Sequence, residues 1–321
     1  ASMSGSALAD TAALATLLLP MMRQRGYPLH SSAGLVAAGG IIAPIIPPSM
    51  PFVIYGVVTN TSISQLFMAG LVPGLIMGVG LIFAWTLIAR GFTEPTPPKA
   101  SKAERRAVLV DGAAALMLPV IIVGGLRFGI FTPTEAAVVA AVYALFISTF
   151  VYRELGLKDL YPLFVSSAKT SAVVMFLVAA AMVSAWLITV ANLPAQLIEI
   201  LQPMLDSPRL LMFTIMVIII VIGTALDMTP TILLLTPVLM PVVKAAGIDP
   251  VYFGVLFIIN CAIGLITPPV GTVLNAVAGV GKISMDEVTR GVMPFMIAQF
   301  TVMFAMVLFP ALVMVPARWF Y

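Results

Sequence analysis

Two proline pairs stand inside long apolar segments of this sequence. Pro47-Pro48 lies in the stretch IIPPSMPF, and Pro268-Pro269 lies in the stretch ITPPVGTV. Proline has no N–H and its ring clashes with the preceding helical turn, so each pair breaks a helix and frees backbone carbonyls. In hydrocarbon a carbonyl without a partner is costly, and a bound cation can satisfy it. The helix that restarts at Ser49 or Val270 offers an N-terminus that favours an anion.

Two polar stretches resemble the tips of hairpins that enter a membrane without crossing it. The first runs from Ser4 to Asp10, and the second runs from Leu226 to Pro230. Their hydroxyl and carbonyl oxygens are the ligands that a hard cation such as sodium prefers. Acidic residues inside a membrane usually have a function, but aspartate is also a good helix N-cap. For Asp10 and Asp227 the sequence leaves both interpretations open.

The elements that position these residues are membrane helices. The chain has 321 residues, of which 61% are hydrophobic and 9% are charged, with a mean hydropathy of +1.13. Soluble proteins are about one quarter charged. Continuous apolar runs, which indicate helices rather than barrel strands, occupy residues 66–89, 108–126, 136–152, 171–190, 210–225 and 288–315. They are long enough to cross a bilayer, except that the run 210–225 is a little short. One cysteine and one histidine exclude a disulfide framework and a cysteine or histidine cluster for zinc or haem.

The chain contains an internal repeat. Glycines and prolines coincide at an offset of 221 residues, as the differences between their numbers show, in the pairs Pro20/Pro241, Gly26/Gly247, Pro47/Pro268, Pro48/Pro269, Gly70/Gly291 and Pro73/Pro294. Each copy has a tip, a short helix predicted to end near Pro20 or Pro241, a turn, a broken helix and a complete span. Chance alignment of proline-rich membrane segments is the alternative explanation.

The basic residues indicate how the chain is threaded. If the loops rich in lysine and arginine are cytoplasmic, an odd number of crossings separates the turn at Gly26 from the turn at Gly247. The two copies are then inverted, which is typical of secondary transporters. Of the 16 lysines and arginines, this threading leaves four on the periplasmic side: Arg127, Arg209, Lys244 and Arg318.

Several long motifs, in fixed order over nearly the whole chain, resemble the large membrane subunit (DctM type) of the tripartite ATP-independent periplasmic (TRAP) transporters. They are SMSGSALADTAAL, GGIIAPIIPPSMPFVIYGVVTNTSISQLFMAGLVPG, FTPTEAAVVAAVYA, LDMTPTILLLTPVLMPV, GIDPVYFGV and IGLITPPVGTVLNAVAGV. The resemblance implies an all-α polytopic protein of the bacterial inner membrane, with inverted repeats, re-entrant hairpins, broken helices and an elevator-type moving domain. It implies sodium-driven import of an organic acid, a small membrane (Q-type) subunit and a periplasmic solute-binding protein as partners. No organic cofactor and no enzymatic activity are expected.

The resemblance also places the binding sites, with one sodium site at each pair of tip and break and the substrate between them. Individual ligands within these segments are inferred from their chemistry. The residues predicted for sodium are Ser4, Gly5, Pro44, Asp227, Thr267 and Pro268. The residues predicted for the substrate are Ser6, Pro48, Ser49, Thr229, Val270 and Gly271.

The domain organisation follows from the repeat. We expect a first repeat at 1–89, a cytoplasmic basic linker at 90–107, scaffold helices at 108–208 and a second repeat at 209–321. Members of the family have further helices and half a hairpin before the first tip. We therefore expect an N-terminal part to be missing here, and transport by the chain alone is not expected.

Two alternative functions are compatible with these residues. A stand-alone sodium/carboxylate carrier would have a similar fold but need no binding protein. An intramembrane aspartyl hydrolase would use Asp10 and Asp227 as its acid pair, although such a pair does not need duplicated double prolines. The sequence does not name the substrate: a C4-dicarboxylate, a sialic acid or a sugar acid would suit recognition by helix N-termini, and overall resemblance favours a sugar acid.

Overall fold

The structure is a computed structural model that describes residues 5–92 and 101–319. The residues it describes form helices and turns, and none of them lies in a β-strand. The helices are, in chain order, α1 (Ala7–Gln24), α2 (Leu29–Gly40), α3 (Met50–Thr59), α4 (Ile63–Ala89), α5 (Lys102–Arg127), α6 (Pro133–Phe146), α7 (Leu157–Val190), α8 (Leu193–Leu205), α9 (Pro208–Gly223), α10 (Met228–Ala245), α11 (Pro250–Gly264), α12 (Thr272–Gly281), α13 (Met285–Leu308) and α14 (Ala311–Arg318). Within these residues, six helical stretches are long and apolar enough to cross a membrane. The stretch that starts at α6 continues through a π-helical turn, Ile147–Val151. The predicted all-α polytopic class is confirmed.

The helix boundaries repeat at the offset found in the sequence. Helices α1 and α10 begin at residues 7 and 228 and end at residues 24 and 245, so both differences are 221. Helices α2 and α11 begin at residues 29 and 250, which again differ by 221. Between them, Gly26 and Gly247 turn the chain with positive φ angles of 83° and 69°, a region that favours glycine. The two copies therefore share their local structure as well as their glycines and prolines.

The two copies run in opposite directions. Tyr55 of α3 donates a hydrogen bond of 2.8 Å to the carbonyl of Pro250, so α3 lies beside the beginning of α11. At the other end, Leu29 at the start of α2 lines the same cavity as Gly281 at the end of α12. The broken helix made of α2 and α3 is therefore antiparallel to the broken helix made of α11 and α12, as an inverted repeat requires.

The copies interlock through close helix packing. Helix α1 packs along α12, α10 packs along α3, and α2 packs against α13. The contact between α2 and α13 depends on glycine, because a Cβ on Gly34 would lie 2.1 Å from the Gly291 carbonyl oxygen. A Cβ on Gly291 would lie 1.9 Å from the His30 carbonyl oxygen. These backbones approach closely in the manner of small-residue contacts between membrane helices.

The described residues form two compact units. The first unit comprises Ala1–Glu94 and Val183–Tyr321 and contains both repeats together with α8, which packs against α9 and α10. The second comprises Pro95–Met182 and contains α5, α6 and most of α7. Within it, Tyr143 of α6 donates a 2.8 Å hydrogen bond to the Ala114 carbonyl of α5. Many large apolar side chains of these helices point outward, as a surrounding bilayer requires.

Some predicted boundaries were wrong. The apolar run 288–315 is not one span, because α13 ends at Leu308 and Pro310, which has no N–H to continue the helix, begins a new one. Conversely, the helices expected to end near Pro20 and Pro241 continue for four residues beyond each proline. A proline removes a single hydrogen bond to the preceding turn, and the packed neighbours hold the rest of these helices in place.

The linker predicted at 90–107 is shorter than expected. Its residues 93–100 lie outside the described residues, and α5 begins at Lys102. The start of α5 is fixed by a capping box, in which Glu104 N donates to the Ser101 hydroxyl and the Glu104 carboxylate accepts from Ser101 N. The local capping sequence therefore overrides the basic and proline-rich composition on which the linker prediction was based.

Candidate functional site

Gly5 of the first tip lies directly on the first break at residues 44–49. Gly5 has a φ of +65°, and a Cβ placed on it would be 2.8 Å from the Pro48 carbonyl oxygen and 3.3 Å from the Met50 nitrogen. Ser6 caps α1, its hydroxyl accepting a hydrogen bond of 3.4 Å from Ala9 N. The structure therefore brings these predicted residues together; Ser4, also predicted, lies outside the described residues.

Ser49 organises the first break. It is 1% exposed, its hydroxyl donates to the Pro44 carbonyl, and its oxygen accepts from Phe52 N at 3.3 Å, which caps α3. The Pro44 carbonyl has no helical partner because Pro48 lacks an N–H, and the Ser49 hydroxyl, five residues later, supplies a donor in its place. A carbonyl oxygen carries two lone pairs, so the Pro44 oxygen keeps one for a further partner.

The second tip lies on the second break in the same way. A small cavity lies between Leu226 of the tip and Val270 and Gly271 of the break. Its other walls are the end of α9 (Gly223 and Thr224), the end of α11 (Gly264 and Leu265) and the first residue of α12 (Thr272). A Cβ on Gly264 would lie 3.0 Å from the Gly223 carbonyl oxygen, so the two backbones are in close contact. In both repeats, therefore, the tip is paired with the break of its own copy.

The second break presents oxygen atoms between the buried Thr267 and the exposed residues Pro269 and Val270. Thr267 is 9% exposed, and its hydroxyl donates to the Ile263 carbonyl at 2.8 Å, which leaves the hydroxyl lone pairs available. Among the described residues, no hydrogen bond is made to the carbonyl oxygens of Thr267 and Pro268. The Leu265 carbonyl, freed by the second proline, accepts instead from Val273 N at 3.1 Å.

The start of α10 carries the remaining predicted residues. Asp227 stands at the N-cap, but its side chain makes no capping hydrogen bond and is exposed. Its carbonyl accepts from Thr231 N at 3.1 Å and from the Thr231 hydroxyl at 2.8 Å. Thr229 is half-buried in the first turn. Asp227 therefore occupies the N-cap position without capping the helix through its side chain. Its carboxylate remains accessible to a ligand.

Four helices of the first unit, α1, α3, α10 and α12, begin at a tip or a break. Helices α1 and α12 pack along each other, and a Cβ on Gly281 would be 3.1 Å from Leu19 Cδ1. Helices α10 and α3 are joined by the Tyr55 hydroxyl and Met240 Sδ, 3.3 Å apart. The positive ends of these four helices favour an anion without any lysine or arginine among the predicted site residues.

Sequence reasoning missed one polar side chain of the site. Asn275 donates through Nδ2 to the Val270 carbonyl at 2.8 Å and so fixes the backbone of the second break next to Gly271. Gly271 itself has a φ of +41° and begins α12 without a side-chain cap. A lone amide in the otherwise apolar stretch after the proline pair was the signal that could have identified Asn275. No group of three or more histidine, cysteine or acidic side chains able to hold a metal occurs in the described residues.

The comparisons with known proteins agree on one family. The family model for the DctM component of tripartite ATP-independent periplasmic transporters matches residues 1–312. The chain is 56% identical over 319 residues to a 2,3-diketo-L-gulonate TRAP transporter large permease protein of Escherichia coli, covering 99% of this chain and 75% of that protein. It is 42% identical over 308 residues to a sialic acid TRAP transporter large permease protein of Vibrio cholerae, covering 96% and 72%. It is 34% identical over 319 residues to a C4-dicarboxylate TRAP transporter large permease protein of Pseudomonas aeruginosa, covering 99% and 75%.

These relatives also decide between the classes of function. They are named as permeases of transporters and not as enzymes, so the hydrolase alternative built on Asp10 and Asp227 is not supported. The long apolar helices are those of a multi-pass protein of the bacterial inner membrane. The chain belongs to the DctM-component family of TRAP transporters and is a large membrane subunit of a transporter of that kind.

Proposed function

We propose that this subunit imports an organic acid together with sodium ions. The observation that carries the proposal is the contact of each polar tip with the broken helix of its own repeat. Each contact places buried carbonyl and hydroxyl oxygens beside helix N-termini. A hard cation and an anionic substrate can therefore bind side by side, and each reduces the electrostatic cost of holding the other.

The sodium ions would bind at the two pairs of tip and break. In the first, the Gly5 backbone and the second lone pair of the Pro44 carbonyl are the available oxygen donors among the described residues. In the second, Thr267 supplies a hydroxyl and a carbonyl, Pro268 supplies a carbonyl, and Asp227 supplies a carboxylate at the tip. Both sets consist of oxygen atoms, which suits sodium and not a soft metal.

The substrate would bind between the two tips, where Ser6 and Thr229 offer hydroxyls. Pro48 and Ser49 lead into the N-terminus of α3, and Gly271 leads into that of α12, so both breaks offer positive dipole ends. Val270 would contribute an apolar contact, since its side chain is 42% exposed. A carboxylate is the natural partner of such helix N-termini. The relative at 56% identity is named for 2,3-diketo-L-gulonate, and we propose a sugar acid of this class as the substrate in preference to a sialic acid or a C4-dicarboxylate.

The proposed transport cycle needs partners. Membership of the family implies a small membrane subunit and a periplasmic solute-binding protein that delivers the substrate. We propose that the unit with both repeats moves as the elevator and that α5, α6 and α7 belong to the scaffold. The outward apolar surface of α5 and α6 is compatible with contact to lipid or to the small subunit.

Uptake measurements test the proposal. Proteoliposomes containing the complete large subunit and the small subunit would be supplied with radiolabelled 2,3-diketo-L-gulonate, with the sodium gradient and the binding protein each present or absent. Uptake that requires both supports the tripartite importer. Uptake with sodium alone would favour the stand-alone sodium/carboxylate carrier, and uptake without sodium would refute the proposed coupling.

Two substitutions test the sodium ligands separately from the substrate. Thr267→Ala removes a hydroxyl from the second site, and we expect sodium activation to weaken far more than expression. Thr301→Ala is the matched control, because the Thr301 hydroxyl also bonds a carbonyl of its own helix, at 2.8 Å, but lies outside both breaks. Equal sodium activation in both variants would refute the assignment of Thr267 even if the transporter imports an organic acid.

A further inference from the structure

A second cavity lies at one end of the unit that contains the repeats. Its walls come from the start of α9, the turn before α11, the end of α13 and α14, and its lining residues include Arg209, Met212, Tyr252, Val307, Met314 and Arg318. The volume open to water-sized molecules is about 240 Å³. The Tyr252 hydroxyl donates to the Met306 carbonyl at 3.0 Å, which joins α11 to α13 at this cavity. The proposed sodium and substrate sites do not involve any of these residues.

This cavity combines an apolar wall with two positive charges. Arg209 and Arg318 both line it, and in the described part of the chain neither has an acidic side chain within ion-pair distance. Asp249 also lines it, but its carboxylate accepts from Val251 N at 2.7 Å and Tyr252 N at 3.2 Å and so caps α11. Most of the remaining lining is methionine, proline and aliphatic side chains. The chemistry is that of a receptor for an amphiphile with a negative head.

The cavity lies at the level of a membrane surface. Helices α11 and α12 contain 15 and 10 residues, so at 1.5 Å per residue the broken helix is about 38 Å long. The cavity lies at the beginning of α11, about 22 Å from the second break. Because the broken helix is longer than a hydrocarbon core about 30 Å thick, a cavity at its first turn falls near the headgroups at one end. Trp319, next to Arg318, is 68% exposed, as is usual for an aromatic side chain at the headgroup level.

The threading of the chain makes the two arginines unusual. Arg209 and Arg318 are among the four basic residues that fall on the periplasmic side, against the general preference for the cytoplasm. Both lie on the same cavity although 109 residues separate them, as 318 minus 209 shows. Interfacial arginines that only reach toward water would not need to share an apolar cavity.

We propose that this cavity binds an anionic phospholipid. Arg209 and Arg318 hold the phosphate, and the half-buried Met314 and Pro310 contact the glycerol and the first methylenes of the acyl chains. A guanidinium group binds phosphate oxygens in bidentate geometry, and a lipid brings its own apolar portion to these two side chains. A small water-soluble anion would leave that apolar wall unused. The bound lipid would bridge α9 and α14 at the surface of the membrane.

Native mass spectrometry of the delipidated complete transporter tests the proposal. Phosphatidylglycerol and phosphatidylcholine would each be titrated, and the dissociation constant of the tightest lipid would be measured. We expect Arg209→Gln and Arg318→Gln each to weaken phosphatidylglycerol binding about five-fold, and the double variant about 25-fold, since each basic residue contributes about 1 kcal/mol. Phosphatidylcholine should bind more weakly and show little dependence on these substitutions.

Matched variants separate the cavity from general charge effects. Arg290→Gln removes an exposed arginine of α13 outside the cavity and should leave phosphatidylglycerol binding unchanged. Met314→Trp fills the cavity while keeping both charges, and it should weaken lipid binding even if a glutamine variant does not fold. Arg318→Lys keeps the charge and should retain most of the affinity.

Three results would overturn the proposal. The first is phosphatidylglycerol binding of wild-type strength in both the double variant and Met314→Trp. The second is equal affinity of the wild-type protein for the anionic and the zwitterionic lipid. The third is stabilisation by inorganic phosphate that matches phosphatidylglycerol and has the same dependence on Arg209 and Arg318, because the site would then bind a free anion.

Discussion

Gly5→Ala is the substitution that most directly tests the contact between the first tip and the first break. Gly5 has a φ of +65°, and an added Cβ would lie 2.8 Å from the Pro48 carbonyl oxygen, a backbone atom that cannot rotate away. The tip must therefore move away from the break by several tenths of an ångström. We expect sodium binding to weaken because the two halves of the first proposed site separate.

The size of the effect follows from comparison with a second glycine. Gly247 has a φ of +69°, and a Cβ placed on it would meet nothing within 4 Å. In Gly247→Ala the alanine must adopt the same left-handed backbone conformation as in Gly5→Ala, which costs about 1 to 2 kcal/mol of stability. It does not collide with another atom. Overpacking costs a further 1 to 3 kcal/mol, roughly, which corresponds to about five-fold to 150-fold in an equilibrium constant.

The assay is thermal stabilisation of the purified transporter by sodium, with potassium as the ionic-strength control. It does not require the substrate to be known, and ligand binding raises the melting temperature by an amount that grows with the logarithm of the ligand concentration relative to its dissociation constant. We expect Gly5→Ala to need at least about five-fold more sodium for half of the maximal stabilisation, and Gly247→Ala to behave as the wild type. The same sodium dependence in both alanine variants would refute the proposed first site.

Three further substitutions give separate tests. Asp227→Asn should raise the sodium requirement about five-fold, since one charge at 4 Å in a water-like dielectric contributes about 1 kcal/mol; Asp206→Asn, at the end of α8, should not. Ser49→Ala should lower the stability by about 1 to 3 kcal/mol, as measured by chemical unfolding, because it removes a cap and a donor to a buried carbonyl. Gly291→Ala should abolish folded expression, measured by size-exclusion profiles, because the added Cβ would overlap the backbone of α2. Gly39→Ala, whose Cβ would have no atom within 4 Å, should be tolerated.

Each result has an outcome that contradicts its reasoning. Wild-type sodium dependence in Asp227→Asn would show that its carboxylate is not a ligand. Unchanged stability of Ser49→Ala would mean that water replaces the serine hydroxyl at the first break. A normally folded Gly291→Ala protein would show that the contact between α2 and α13 relaxes easily.

Most of the architecture is determined by the sequence alone. The proline pairs predict the breaks because proline has no N–H in any environment. The 221-residue offset predicts the shared boundaries of α1 and α10, because segments with matching glycines and prolines form matching helices and turns. The hydropathy predicts the long spans because a continuous apolar segment can cross the hydrocarbon core only with its backbone hydrogen bonds satisfied, as in a helix. Sequence reasoning failed where local capping or packing decides a boundary, as at Lys102 and Leu308.

The site itself is decided by the tertiary structure. No local rule states that Ser49 donates to the carbonyl freed at Pro44, or that Asn275 holds the second break. Such bonds depend on the rotamer and the path that the chain takes through each break. The cavity between Arg209 and Arg318 depends likewise on contacts between helices far apart in the chain. A sequence records which groups are available, and only the packing of the inverted copies determines which of them meet, because contact energies depend on distance in space and not along the chain.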